Sequence, residues 1–325
     1  MVEVIAEFCQ NHNGDRSVLE EMVYAAAEAG ATFAKIQSMQ ADDLTHRPRF
    51  DEGATDERGG VTVIKRPFDA EYRRLKPLDL TDDDHHRFIE WCAKAGIKPL
   101  TTVFSRSRVP FVASLGLEAV KVASFDCSSH ALLRDLVRHK VPRVIVSTGV
   151  TFDAEIAEAV RVLNGVEMAL LHCVSIYPTP LVEANLRRMD YLRRLCPVVG
   201  ISDHSNPEKD GVKLTAAALL CGAQMVERHF SILPKDQTRD GPVSVNPQQL
   251  RELVRVSRMK QDELQAFVRE HVPEFEQLLG SETRELSHTE VLSRDYYRGR
   301  FASRLPGGEW VYNWEGDDNE WLKLP

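Results

Sequence analysis

His204 and His229 each stand at or near the end of a short apolar run, Pro197–His204 and Met225–Phe230. If the two runs are neighbouring parallel strands, the imidazoles emerge side by side and form an open site for a divalent metal. A lone histidine in such a place is more often a hydrogen-bonded structural residue, so the reading depends on what surrounds the pair. The ends of the other apolar runs are loaded as well, with Glu7, Lys35 and Gln37, Thr102 and Ser105, Lys121 with Ser124 and Asp126, Ser147 and Thr148, His172 and Ser175, Asp203, and Glu227. Either lysine alone is readily explained as a side chain reaching for the rim. Lys35 and Lys121 on one rim, with the hydroxyls of Thr102, Ser124, Ser147 and Ser202, make a nest for a phosphate or carboxylate. Glu7, Asp126 and Asp240 balance that charge and are candidates for proton transfer. Two histidine ligands plus waters leave room for a substrate oxygen, as activation of a carbonyl requires. The chemistry is an anionic substrate beside a metal-polarised carbonyl. Carbon–carbon bond formation, metal-assisted isomerisation and hydrolysis all fit it.

These residues need a scaffold that brings strand ends together. The apolar runs are Val2–Cys9, Phe33–Ser38, Pro99–Phe104, Ala119–Ser124, Arg143–Thr148, Met168–Ser175, Pro197–His204 and Met225–Phe230, each followed by a helical pattern. Apolar rather than alternating strands, each with its helix, predict a closed parallel (β/α)8 TIM barrel of α/β class, with function at the C-terminal strand ends. An open doubly wound sheet would carry a glycine-rich turn after its first strand, and Gln10–Gly14 is not one. Residues 40–80 lack periodicity and read as a long excursion on the functional side. A single long helix is expected from Pro247 towards Leu264. The barrel is assigned to residues 1–280. Residues 281–325 read as a β-leaning extension, with aromatic stretches Tyr296–Phe301 and Glu309–Trp314 packed on the barrel or on a second chain.

Composition limits the alternatives. The chain has 325 residues, 43% hydrophobic, with a net charge of −8, which argues against nucleic acid as a partner. No run approaches the roughly 20 apolar residues that span a bilayer, so no membrane role is expected. The N-terminus shows no cleavable leader pattern. The six cysteines are scattered without a C-x-x-C pair and read as free thiols in a reducing cytoplasm.

Several segments together resemble the sialic acid synthase family. They are Ala6–Gly14, Ala34–Gln37, Thr102–Ser105, Lys121–Ser124, Ser147–Gly149, Leu171–Pro180, Gly200–Ser205 and Glu227–Phe230, in family order. The resemblance implies condensation of phosphoenolpyruvate (PEP) with an open-chain sugar aldehyde, giving a 2-keto-3-deoxy sugar acid and phosphate. It implies a divalent metal, Mn²⁺ or Mg²⁺, on His204 and His229, with Glu7 near the metal water and the reacting carbons. PEP is expected on Lys35, Thr102, Lys121, Ser124, Ser147, Ser175 and Ser202. Asp126 stands where glutamate is common and joins Glu7, Lys121 and the histidines as a catalytic candidate. Gln37, Tyr177 and Asp240 are expected on the sugar side, and a homodimer is implied.

The chain also departs from the family. The usual Pro-Gly-Pro-Asp segment is Gln237-Thr238-Arg239-Asp240 here. The antifreeze-like C-terminal domain, which supplies an arginine to the partner's site, is not matched by residues 281–325, where Arg298 or Arg300 could act as a residual arm. The N-acetylmannosamine acceptor is therefore open. A 3-deoxy-ulosonate phosphate synthase, with Arg66, Arg73 and Arg74 holding a second phosphate, is an alternative enzyme. A barrel that binds a sugar acid without catalysis is the alternative outside enzymes.

Overall fold

The apolar runs become strands where turn residues bound them. The computed structural model describes residues 2–305 and 307–315. In chain order the strands are β1 (Glu3–Glu7), β2 (Phe33–Ser38), β3 (Ala54–Thr55), β4 (Val61–Val63), β5 (Lys98–Val103), β6 (Val120–Val122), β7 (Arg143–Ser147), β8 (Glu167–His172), β9 (Val199–Asp203), β10 (Met225–His229), β11 (Ala302–Arg304) and β12 (Trp310–Tyr312). Eight of them close into a parallel barrel in the order β1-β10-β9-β8-β7-β6-β5-β2, as the sequence predicts.

Helices cover the outside. Asp15 accepts the N–H groups of Ser17 and Val18 to start the helix Arg16–Glu28. Thr81 and Asp84 form a reciprocal capping box at the start of Asp82–Ala95, and Gly96 closes that helix in the left-handed region at φ 72°. Their apolar faces, including Leu19, Met22 and Phe88, are buried against the outward-facing strand residues. Each such side chain contributes about 1.5–3 kcal/mol.

The interior is layered because successive strand residues face opposite sides. Ile5, Phe33, Leu100, Ile145, Leu171 and Met225 form a buried apolar plug. Two residues further along their strands come Glu7, Lys35, Thr102, Ser147, Cys173 and Glu227, and a further two give Cys9, Gln37, Phe104, Gly149, Ser175 and His229. A polar tier therefore rests on an apolar one, with a third tier at the mouth.

Two expectations are corrected. The helix expected from Pro247 to Leu264 is two helices, Pro247–Ser257 and Gln261–His271. The chain turns between them, and the Glu263 carboxylate accepts the Lys260 N–H to start the second. Tyr296-Tyr297, read as β-leaning, ends the helix His288–Tyr297. Its start is a capping box in which Ser287 and Glu290 cap each other, a local signal that outweighs the strand preference of the tyrosines. Trp310–Tyr312 is a strand as expected, pairing antiparallel with Ala302–Arg304.

This C-terminal segment lies across the barrel mouth. Thr45 N–H donates to Arg300 O at 2.9 Å, Ser107 N–H to Ser303 Oγ at 2.8 Å, and Leu132 N–H to Asn313 O at 3.0 Å. Among the described residues, no helix is long and apolar enough to cross a membrane.

Candidate active site

The middle tier is a buried quartet of charges. Strand register sets Glu7 beside both Lys35 and His229, Thr102 beside Lys121, and Glu227 beside Ser202. Lys35 Nζ pairs with Glu7, lies 3.0 Å from Glu227 Oε2, and donates to Thr102 Oγ1 at 3.1 Å. Lys121 Nζ donates to Ser147 Oγ at 2.6 Å and lies 3.8 Å from Glu227 Oε1. Ser202 Oγ donates to Glu227 Oε1 at 2.8 Å. Burial works against every one of these charges. Glu7 goes up because burial outweighs the pull of Lys35. Glu227 ends well below the carboxylate range because Lys121, Lys35 and the Ser202 hydroxyl overcome its burial. Lys121 is lowered by burial despite Glu227.

The upper tier carries the histidines. Their ring centroids are 5.5 Å apart, and the Tyr177 ring lies 4.2 Å from that of His204. His204 Nδ1 lies 3.0 Å from Val174 O, which leaves Nε2 towards Ser202 at 3.3 Å. Burial, and then the neighbouring His229, push the His204 imidazole down to about 4, so at pH 7 it is neutral and has a free lone pair. Cys9, His229 and Asp240 offer ligand atoms all within 4.8 Å of one another. The loop that delivers Asp240 is held by the first polar turn. Asn11 Nδ2 donates to Phe230 O and Ser244 Oγ at 2.9 Å each, and Asn13 Nδ2 to Gln237 O at 2.9 Å.

A recess opens at Gly149. A Cβ there would lie 2.5 Å from Cys173 Sγ, 2.6 Å from Ser175 Oγ and 3.0 Å from Ser124 Oγ. The missing side chain keeps this space open, and Ser175 Oγ is buried there without a hydrogen-bond partner among the described residues. Beside it, Asp126 accepts from Ser129 Oγ at 2.9 Å and from Asn313 Nδ2 at 2.8 Å. Burial lifts the Asp126 carboxyl to about 6 in spite of these bonds.

All the candidate catalytic, PEP and sugar residues named from the sequence line one cavity of about 490 Å³. A profile of the NeuB family matches residues 22–268. The chain belongs to the NeuB family. The N,N'-diacetyllegionaminic acid synthase of Legionella pneumophila is 31% identical over 77% of this chain and 70% of its own length. Among solved structures, the spore coat polysaccharide biosynthesis protein SpsE of Bacillus subtilis is 27% identical with a TM-score of 0.71, covering 94% of this chain and 78% of that one. The N-acetylneuraminic acid synthetase of Leptospira borgpetersenii is 26% identical with a TM-score of 0.67, covering 91% and 90%. The resemblance read from the motifs is borne out.

Within this NeuB barrel, not every loaded strand end reaches the cavity. His172, one residue past an inward Leu171, faces outward, with Nε2 2.6 Å from Ala184 O. Asp203 pairs with Arg228 and accepts from Thr215 Oγ1 at 2.8 Å, which makes both charges structural. Ser105 Oγ donates to Asp43. Arg66 and Arg74 line the cavity, whereas Arg73 is exposed and bonds Asp69 O. Arg300 lines it, whereas Arg298 stacks on Trp314 at 4.8 Å.

Three further contributors lacked a sequence role. Glu227 was visible only as one more polar strand end, and strand parity alone would have placed it inward with His229. Cys9 read as an ordinary thiol. Asn313 lies too far along the chain for any motif to connect it with Asp126.

The rim suits a divalent metal on several grounds. His229 Nδ1 is buried without a hydrogen-bond partner among the described residues. His204 is neutral with one ring nitrogen fixed by a carbonyl, the usual support for a ligating imidazole. Cys9, His229 and Asp240 converge, a softer set than the two histidines alone.

Proposed function

We propose that this chain condenses PEP with the aldehyde of an open-chain sugar, giving a 2-keto-3-deoxy sugar acid of the nonulosonate type and inorganic phosphate, with a divalent metal as cofactor. The observation that carries the reading is the tier of Lys35, Lys121, Thr102 and Ser147 lying directly beneath the rim of His204, His229, Cys9 and Asp240. An anion nest and a metal-ligand rim share one cavity, so the two reactants meet at its centre.

Lys35 and Lys121 neutralise the phosphate and carboxylate of PEP, and the hydroxyls of Thr102, Ser124, Ser147 and Ser175 fix its orientation. His204 and His229 would hold the metal, with Cys9 and Asp240 within reach. When bound, it supplies Lewis-acid polarisation of the aldehyde. The C3 carbon of PEP forms a bond to the aldehyde carbon, and the aldehyde oxygen takes up a proton. Water adds to C2 and gives up its proton, with Glu7, raised by burial, placed to receive it. The bond between C2 and the phosphate oxygen then breaks, the added hydroxyl becomes the 2-keto group and phosphate leaves. Asp126, raised to about 6, is placed for the second proton movement.

The test is phosphate release from PEP with Mn²⁺ or Mg²⁺ across a panel of aldoses, with mass detection of the product. The expected result is stoichiometric phosphate and a 2-keto acid heavier than the aldose by the elements of pyruvic acid. No release with any aldose would sink the reading in favour of a sugar-acid-binding barrel.

A further inference from the structure

Arg66, Arg74 and Arg300 gather around a single carboxylate, Glu71, in the outer wall of the cavity. Arg74 grips it through Nε to Oε2 at 3.0 Å and Nη2 to Oε1 at 2.9 Å. Arg300 Nη2 donates to the same Oε1. Arg66 makes no ion pair among the described residues, yet its charge acts on Glu71. Burial pushes the Glu71 carboxyl up, but the Arg74 hydrogen bonds and the charges of Arg300, Arg74 and Arg66 bring it down to about 2. Guanidiniums do not lose their protons in proteins, so three of them against Glu71, even with Asp240 also acting on Arg74, leave an excess of positive charge. Arg300 is 8% exposed; it pairs with Glu71 and lies over the rings of Tyr296, Tyr297 and Phe301, while its Nε has no hydrogen-bond partner among the described residues. Burying unpaired charge is costly unless something neutralises it.

The cluster is built by the two additions to the barrel. Arg66 and Arg74 come from the 40–80 excursion, and Arg300 from the C-terminal segment. Thr45 holds Arg300 in place, with its N–H on Arg300 O and its Oγ1 donating to Gly299 O at 2.7 Å. All three arginines line the cavity. They are separate from the Lys35–Lys121 nest and adjoin the sugar side. Arg74 Nη1 donates to Gln10 Oε1 at 2.6 Å, and Gln10 follows Cys9 of the metal rim.

We propose that Arg66, Arg74 and Arg300 form a subsite for a negatively charged group on the acceptor sugar, a phosphate ester or a carboxylate at the end away from the aldehyde. The word acceptor rests on the condensation reading, but the subsite itself does not. The excess positive charge, the unpartnered Arg300 donor and the position beyond Gln10 all call for an anion there.

The test compares wild type with Arg66→Ala. The variant removes an arginine without an ion pair and leaves Glu71 held by Arg74 and Arg300. With PEP and Mn²⁺ present, kcat/KM is measured for N-acetylmannosamine, its 6-phosphate and the corresponding uronic acid. In parallel, the same three sugars are titrated calorimetrically without PEP. One anionic sugar should be favoured over the neutral one by about tenfold or more, and Arg66→Ala should shrink that ratio about tenfold, through KM. Whichever anionic sugar is favoured names the group as phosphate or carboxylate. A neutral sugar used as well as its charged forms, or a ratio unchanged in Arg66→Ala, overturns the subsite and leaves the condensation intact. If no sugar releases phosphate, the condensation reading falls and the titrations decide. Tighter binding of a charged sugar that Arg66→Ala weakens upholds the subsite, and equal binding overturns it.

Discussion

Nζ of Lys35 lies 3.0 Å from Oε2 of Glu227, and the same carboxylate stands 3.8 Å from Nζ of Lys121 through its other oxygen. One buried carboxylate therefore acts on both buried lysines, drawing each towards its charged form against the cost of burial.

Glu227→Gln removes that attraction. Lys121 is already lowered by burial, and without the carboxylate it gives up its proton at a lower pH still. The alkaline limb of the kcat/KM profile should therefore move to lower pH in Glu227→Gln. Breaking a buried pair should also cost about 3–5 kcal/mol of stability. A pH–rate profile and urea unfolding of the variant check both. An unmoved alkaline limb would show that Glu227 does not govern the lysines.

Asp126 has the opposite sign to a salt-bridged carboxylate. Its folded value of about 6 lies above the ordinary 3.8, so the folded state holds the proton more tightly. Stability from this group is present below about pH 4 and is lost as pH rises towards 6, a cost of about 3 kcal/mol at pH 7.5. Asp126→Asn should raise the Tm at pH 7.5 relative to wild type, and the gain should vanish near pH 4. The same variant should lose turnover about 100-fold if the carboxyl moves a proton. Thermal melts at the two pH values, with activity at the higher one, test the pair of effects.

Asn313 ties the C-terminal segment to that carboxylate. Its Nδ2 donates to Asp126 Oδ1 at 2.8 Å and to Phe104 O at 2.9 Å. Asn313→Ala should cost about 1–3 kcal/mol by leaving buried acceptors unsatisfied. Because that bond favours the ionised carboxylate, its loss should raise the Asp126 value further. The acid limb of the rate profile should then shift to higher pH, which a pH titration of kcat measures.

Chelation should abolish turnover, and Mn²⁺ or Mg²⁺ should restore it. His204→Ala should bind metal at least about 10–100-fold more weakly with its far-UV circular dichroism unchanged. Equilibrium dialysis against Mn²⁺ measures this directly, and unchanged binding would remove His204 from the metal site.

The barrel was legible because its signal is local. Each strand is a short apolar run and each helix is periodic, so Phe33–Ser38 was located to the residue. That Lys35, Lys121, the hydroxyls and the histidines share one cavity was legible for the same reason, since they sit at strand ends and only one end of such a barrel carries function. The two errors, at Tyr296-Tyr297 and at residues 258–260, arose where capping side chains outweighed residue preference or periodicity.

What the chain decided by itself is therefore which residues have the chemistry and that they share one rim. Strand period and apolar pattern are properties of neighbouring residues, and both are visible in one dimension. Tertiary structure decided what each of the loaded strand ends meets. Barrel closure turned Glu227 towards two lysines and put Asp203 outside against Arg228. It also decided what stands over the mouth, because the contacts of Arg300 with Glu71 and of Asn313 with Asp126 join segments far apart along the chain. Such contacts exist only after the barrel has formed, since the charge and hydrogen-bond energies that select them act across space and leave no periodic trace in the sequence.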